Sequence, residues 1–200
     1  MTLEQELEIQ ELLKNWRDER HLTLEMQRDG LMGNLCEEMT EYYRATNKRE
    51  KIDALCDIYV FCMNSLPWGV DIIINIMKNG ATINPFNTYI FEMLHKLTRS
   101  FTYSNEFKIN TALYSIMRSV VYQINELGYD FYKCMMETIK EISSRTGHYD
   151  ENIHKFVKDK SDEAKSKWYK ADYESCKDIW REYKDFERYA TLQDEVIKVE

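Results

Sequence analysis

Apolar residues recur along the chain every three or four positions, and no segment alternates convincingly between apolar and polar. That is the spacing of helices packed by one face. It predicts a helix over 3–20, a second over 31–46 after the turn-like "RDGLMGN", and a third over 49–65 that stops at Pro67. "KNGATINPF" at 78–86 reads as a loop, because Asn-Gly and Asn-Pro are turn pairs and a residue before Pro avoids the helical region. Further helices are predicted over 86–103, 106–127 and 131–143, with "LGYD" at 127–130 as a break. From 144 to 177 the chain is polar, basic and studded with aromatics, which predicts an extended arm, and helical spacing returns over 173–190. With only 6 Gly and 2 Pro in 200 residues, the expected fold is all-α. It is a helical bundle forming a single domain over 1–200, with a core at about 1–143 and the arm and last helix at about 144–200.

The formal net charge is −8, which argues against wholesale attraction to nucleic acid or to an anionic membrane, although a local basic patch could still hold phosphates. The five cysteines are dispersed with no C-x-x-C pair, so they read as reduced core residues of a cytoplasmic protein. A charged N-terminus and apolar stretches broken by Asn, Asp or Pro predict neither a signal peptide nor a membrane span.

Charge changes the picture at "EEMTEYYRATNKREKIDALCD", residues 37–57. At about 100° per residue, Asn34, Glu38, Glu41 and Ala45 share one stripe of the second helix, and Asp53, Asp57, Phe61 and Asn64 share one stripe of the third. The short turn between the helices makes them antiparallel neighbours, so that the two acidic pairs can face each other. Such an all-oxygen set suits Mg²⁺ or Mn²⁺. Acidic residues at this spacing also occur on ordinary solvated faces. The apolar setting "DALCDIYVFCMNSL" favours the site, because it leaves Asp53 and Asp57 little room on a purely exposed face. Glu37 is either an outer carboxylate or a solvent-facing one.

Glu38-Met-Thr-Glu41, a short turn, and then Asp53-Ala-Leu-Cys-Asp57-Ile together resemble the all-α nucleoside triphosphate pyrophosphohydrolases. This is the MazG-like superfamily, which includes dimeric dUTPases and phosphoribosyl-ATP pyrophosphohydrolase. The commoner signature there is E-x-x-E followed by E-x-x-D. Here residue 54 is Ala and the second pair is spaced by four, which is similar to a phage or bacterial D-A-L-x-D branch. The resemblance covers about 31–66 and, more loosely, 127–177. It implies magnesium-dependent hydrolysis of a nucleoside or deoxynucleoside triphosphate to the monophosphate and pyrophosphate, in nucleotide-pool housekeeping. Glu38, Glu41, Asp53 and Asp57 would be the metal ligands and catalytic acids, and the assembly a homodimer or a tetramer of dimers.

Phosphates need cations, and Lys155, Lys158, Lys160, Lys165, Lys167 and Lys170 crowd the arm behind Arg145. A charge run is also the ordinary mark of a solvated face. Tyr149, Phe156, Trp168, Tyr169 and Tyr173 among the lysines suit a lid over phosphate and base, with Arg145, Lys167 and Lys170 as the preferred phosphate contacts. Asn64 reads as a substrate hydrogen-bonder or as an interhelical amide, and Trp68 as a base-stacking ring or a core aromatic. The four histidines lack metal-ligand spacing, and no G-x-x-x-x-G-K-[ST] loop occurs. Two other classes stay open: a helical regulatory or interaction protein with little turnover on the same scaffold, and a ferritin-like carboxylate protein. The second lacks the Glu-x-x-His pairs that such sites use.

Overall fold

The structure, a computed structural model, describes residues 1–67 and 86–178. Six longer helices follow in order: α1 (Leu3–Glu19), α2 (Leu24–Arg44), α3 (Lys48–Asn64), α4 (Phe86–Thr102), α5 (Glu106–Glu126) and α6 (Phe131–Ser143). Side chains that satisfy the first free N–H groups start most of them. Thr2 and Gln5 form a reciprocal capping box on α1, and Thr23, Asn47, Asn105 and Asp130 cap α2, α3, α5 and α6. The described part is mostly helical, in keeping with the all-α expectation.

Helix α3 is the hub. Ile52, Leu55, Ile58, Tyr59, Cys62 and Met63 are buried, and α2, α5, α1 and α6 all pack against it. A helix apolar on nearly every side belongs in an interior, and its few polar positions then mark where that interior opens. Only Ala45 to Asn47 separate α2 from α3, which holds the two as antiparallel neighbours.

Three expectations need correction. Helix α2 begins at Leu24, seven residues before the predicted start at 31, because the Thr23 hydroxyl accepts from the Met26 N–H at 3.2 Å and overrides the turn signal of the two glycines. The arm is folded against the core instead of extended. β1 (Gly147–Asp150) pairs antiparallel with β2 (Lys155–Lys158), and a short helix α7 (Asp162–Ser166) and a 3₁₀ turn (Tyr173–Cys176) follow. Four-residue strands are too short to reveal a period, so their signal lies in what they pack against. Thirdly, the helix predicted from 173 starts as that 3₁₀ turn, closed by a bridge between Tyr129 and Lys177. Its continuation past 178, Trp68 and the loop up to residue 85 lie outside the described residues.

Cys56, Cys62, Cys134 and Cys176 are buried as expected of core residues, whereas Cys36 is exposed on α2 and not part of the core. Among the described residues, no helix is long and apolar enough to cross a membrane.

The hairpin explains Gly30. A Cβ there would collide with the main-chain oxygen of His154 at the hairpin tip, whereas one at Gly33 would meet open space. Gly30→Ala is therefore expected to destabilise the fold by about 1–3 kcal/mol, because a backbone clash outweighs the helix-propensity gain. Gly33→Ala should stabilise it by up to about 1 kcal/mol. Thermal melts, together with proteolysis within 147–158, distinguish the two, and equal effects would contradict this packing.

Candidate functional site

One cleft of about 210 Å³ runs between α2, α3, the end of α6 and the β1–β2 hairpin. Glu38 and Glu41 enter from α2 and Asp57 from α3. Arg145, Lys155 and Lys158 enter from the α6 end and the hairpin. Trp16, Leu22, Met26, Phe61, Tyr149 and Phe156 supply apolar walls.

The cationic wall is held in place by aromatic packing. The Trp16 indole N–H donates to the Ile142 carbonyl at 3.2 Å, its ring meets Phe156 edge-on at 6.0 Å, and the Arg20 guanidinium lies over it at 4.7 Å. Tyr149 donates its hydroxyl to the Met26 carbonyl at 3.2 Å, which ties β1 to α2. Arg145 pairs with Glu141 one turn back on α6, and its guanidinium sits 5.6 Å from the Trp168 ring. Lys155 pairs with Glu37 at the rim.

The acids are under electrostatic stress. Burial, and then the repulsion of Asp57, Glu41 and Asp53, pushes the Glu38 carboxyl up to about 9. Burial and Asp53 raise Asp57 to about 7, against the pull of Lys158 and Arg145. Crowded, desolvated carboxylates disfavour their own ionisation. Lys158 is exposed overall, yet its ammonium loses hydration and feels Arg145, and both lower its pKa against the attraction of Asp57 and Glu38.

The stripe expected on each helix exists, but its four acids are not equivalent. Glu38, Glu41 and Asp57 line the cleft, with Glu41 the most exposed. Asp53 sits beside a neighbouring shallow depression with Glu41, Arg44 and Glu50, and its Oδ1 accepts from the Tyr173 hydroxyl at 2.9 Å. Among the described residues, no group of three or more His, Cys, Asp or Glu is arranged to hold a metal ion. Asn64 lines the cleft, fully buried, and neither amide atom finds a hydrogen-bond partner among the described residues. A buried polar group without a partner is rare.

Of the arm's cations, Arg145 lines the cleft. Lys167, paired with Glu163 at 3.0 Å, and Lys170 are both exposed, and neither lines the cleft. Lys155 and Lys158 stand there in their place. Both belong to β2, whose four residues Lys-Phe-Val-Lys carry no period that separates them from the other lysines. Trp16 carried no signal beyond helical spacing. Comparisons of the chain with protein-family models, curated proteins and solved structures find no match.

A pH dependence follows from the stressed acids. A carboxyl whose folded pKa lies above its unfolded value favours folding less and less as pH rises from the unfolded pKa to the folded one. For Glu38 and Asp57 that window runs from about 4 to about 9. In excess chelator, Tm should fall between pH 5 and pH 9, and Glu38→Gln should remove much of the decline. Added Mg²⁺ should raise Tm more at the alkaline end. A flat profile with and without Mg²⁺ would contradict the crowding.

Proposed function

We propose that this cleft hydrolyses a nucleoside or deoxynucleoside triphosphate to the monophosphate and pyrophosphate, with Mg²⁺ or Mn²⁺ as cofactor. One observation carries the reading: Glu38, Glu41 and Asp57 face Arg145, Lys155 and Lys158 across a single cleft. Acids to hold a cation and cations to hold phosphate are the two halves that phosphoryl chemistry needs. The resemblance of Glu38-x-x-Glu41 and Asp53-x-x-x-Asp57 to MazG-like pyrophosphohydrolases supports the same reaction.

The donors are of the right kind for such an ion, all oxygen, though no three of them are arranged to hold one among the described residues, and a divalent cation would relieve the repulsion that adds to burial in raising Glu38 and Asp57. When bound, the ion supplies charge neutralisation on the phosphate oxygens and acidifies a water. The chain's own residues do the rest. Arg145, Lys155 and Lys158 grip the phosphates and turn the α-phosphorus toward the acids, while Trp16, Tyr149 and Phe156 shield the site from bulk water. Water attacks the α-phosphorus, the bond to the bridging oxygen breaks, pyrophosphate leaves with that oxygen, and Glu38 or Glu41 takes the water's proton.

A second reading has its own observation. Glu41 is exposed and Asp53 is engaged by Tyr173, so the four acids do not converge on one point. A regulatory protein on the same scaffold, binding nucleotide without turnover, would look like this. The resemblance also implies a homodimer or a tetramer of dimers, which light scattering at micromolar concentration tests.

Incubating the protein with each nucleoside and deoxynucleoside triphosphate plus Mg²⁺ separates the readings. Pyrophosphate is the expected product, lost in chelator and restored by Mg²⁺ or Mn²⁺. Asp57→Asn should lower kcat by about 10²-fold or more, while Glu37→Gln should do far less. Nucleotide binding without any product would favour the regulatory reading.

The cationic wall has a separate test. Lys158→Ala should raise KM or lower kcat about tenfold, the scale of one lost charge-assisted contact to phosphate. Lys167→Ala and Lys170→Ala should leave both constants within about twofold, as exposed lysines away from the cleft. The reverse ranking would place the phosphates on α7 and not on the hairpin.

A further inference from the structure

Helix α6 ends at Ser143, and the last carbonyls of a helix have no partner within it. Here the end of α1 supplies donors to them. Trp16 donates to the Ile142 carbonyl, and Arg20, one turn on, donates Nη2 to the carbonyls of Ser143 at 3.3 Å and Arg145 at 3.2 Å. Its Nη1 returns to the Trp16 carbonyl at 3.0 Å. Its guanidinium carbon lies 4.7 Å from the centre of the Trp16 ring and 6.0 Å from that of Phe156. One guanidinium therefore joins the end of α1, the chain leaving α6 at Arg145, and β2 beside Lys155.

A cation is costly in this place. Arg20 stands behind a wall that already carries Arg145, Lys155 and Lys158, and it does not line the cleft itself. Its side chain is only 13 % exposed, its Nε is buried without a partner among the described residues, and burial lowers its pKa against the pull of Glu19. An apolar side chain would pack on the two rings without that cost. What a guanidinium adds is a planar fork that grips two carbonyls of one turn while lying flat on a ring, at a helix end that favours positive charge. The peptide it grips is the one from which the Arg145 side chain sets out, and Glu141 and Trp168 hold the far end of that side chain.

We propose that Arg20 is a positioning residue for Arg145: it touches no phosphate, and it fixes the backbone from which Arg145 reaches into the cleft. This rests on the reading of the cationic wall as a grip for phosphate, and it requires no metal ion among the acids. A displacement of about 1 Å in a group that holds substrate is enough to be felt in affinity and rate, so a residue behind the wall can govern it.

The test is binding of inorganic tripolyphosphate to the full-length protein by calorimetry, with Mg²⁺ and again in chelator, in a double-mutant cycle. Arg20→Lys keeps the charge but loses the planar fork, and it should weaken binding by about fivefold or more. In an Arg145→Ala background, which leaves the Arg145 carbonyl in place, the same change should cost less than about twofold, because the side chain that Arg20 aims is gone. A merely structural role would cost the same in both backgrounds. Side-chain nitrogen resonances of the arginines in the unaltered protein give a second readout, which serves if Arg20→Lys fails to fold. Tripolyphosphate should shift the Arg145 Nε signal and leave that of Arg20 in place. Equal affinity in Arg20→Lys and the unaltered protein would overturn the proposal, as would an undiminished loss in the Arg145→Ala background or an Arg20 signal that moves as far as that of Arg145. Failure of the unaltered protein to bind tripolyphosphate in either condition would overturn the phosphate-grip reading together with it.

Discussion

Everything in this molecule turns on the cost of placing Asp53 and Asp57 on a helix that the rest of the protein buries. Helix α3 meets neighbours on nearly every side, and its apolar residues form the centre of the core. Two carboxylates on such a helix cannot be solvated as surface acids are, and they add to Glu38 and Glu41 across the α2–α3 seam. The fold meets this cost in two ways. Arg145 and Lys158 bring positive charge toward Asp57, and Tyr173 gives Asp53 a neutral donor. Neither removes the repulsion, as the raised Glu38 carboxyl shows.

The arm takes its shape from the same constraint. Its hairpin packs Phe156 on Trp16 and crosses α2 at Gly30, which sets Lys155 and Lys158 opposite the acids. Its later part is clamped by Glu137 and Glu141, and Glu141 also holds Arg145. One helix, α6, therefore organises both the cationic wall and the strand carrying Tyr173. Charge placement here is a consequence of backbone anchoring more than of local lysine density.

Much of the helical framework was legible because caps and breaks are local. The predicted 106–127 and 131–143 became Glu106–Glu126 and Phe131–Ser143, each opened by an Asn or Asp cap. Position 24 as the start of α2 was not, since two glycines outweigh one threonine in sequence and the hairpin's approach to Gly30 has no local signature. The acidic stripes were legible from helical spacing. Which lysines line the cleft was not, because Lys158 and Lys170 look alike in sequence and differ only in the fold, Lys158 ending the strand that follows the tip where His154 takes a φ of 50° and Lys170 following α7. Tyr173 stood among the aromatics of the expected lid, and its contact with a residue 120 positions away has no local signature.

The central claim, that these crowded acids and the facing cations direct water to the α-phosphorus of a triphosphate, is tested most directly by ³¹P magnetic resonance of the reaction in ¹⁸O-water. The account predicts Mg²⁺-dependent turnover in which the isotope appears on the nucleoside monophosphate and pyrophosphate stays unlabelled. Label in pyrophosphate, release of orthophosphate, or no turnover of any nucleoside triphosphate would contradict it.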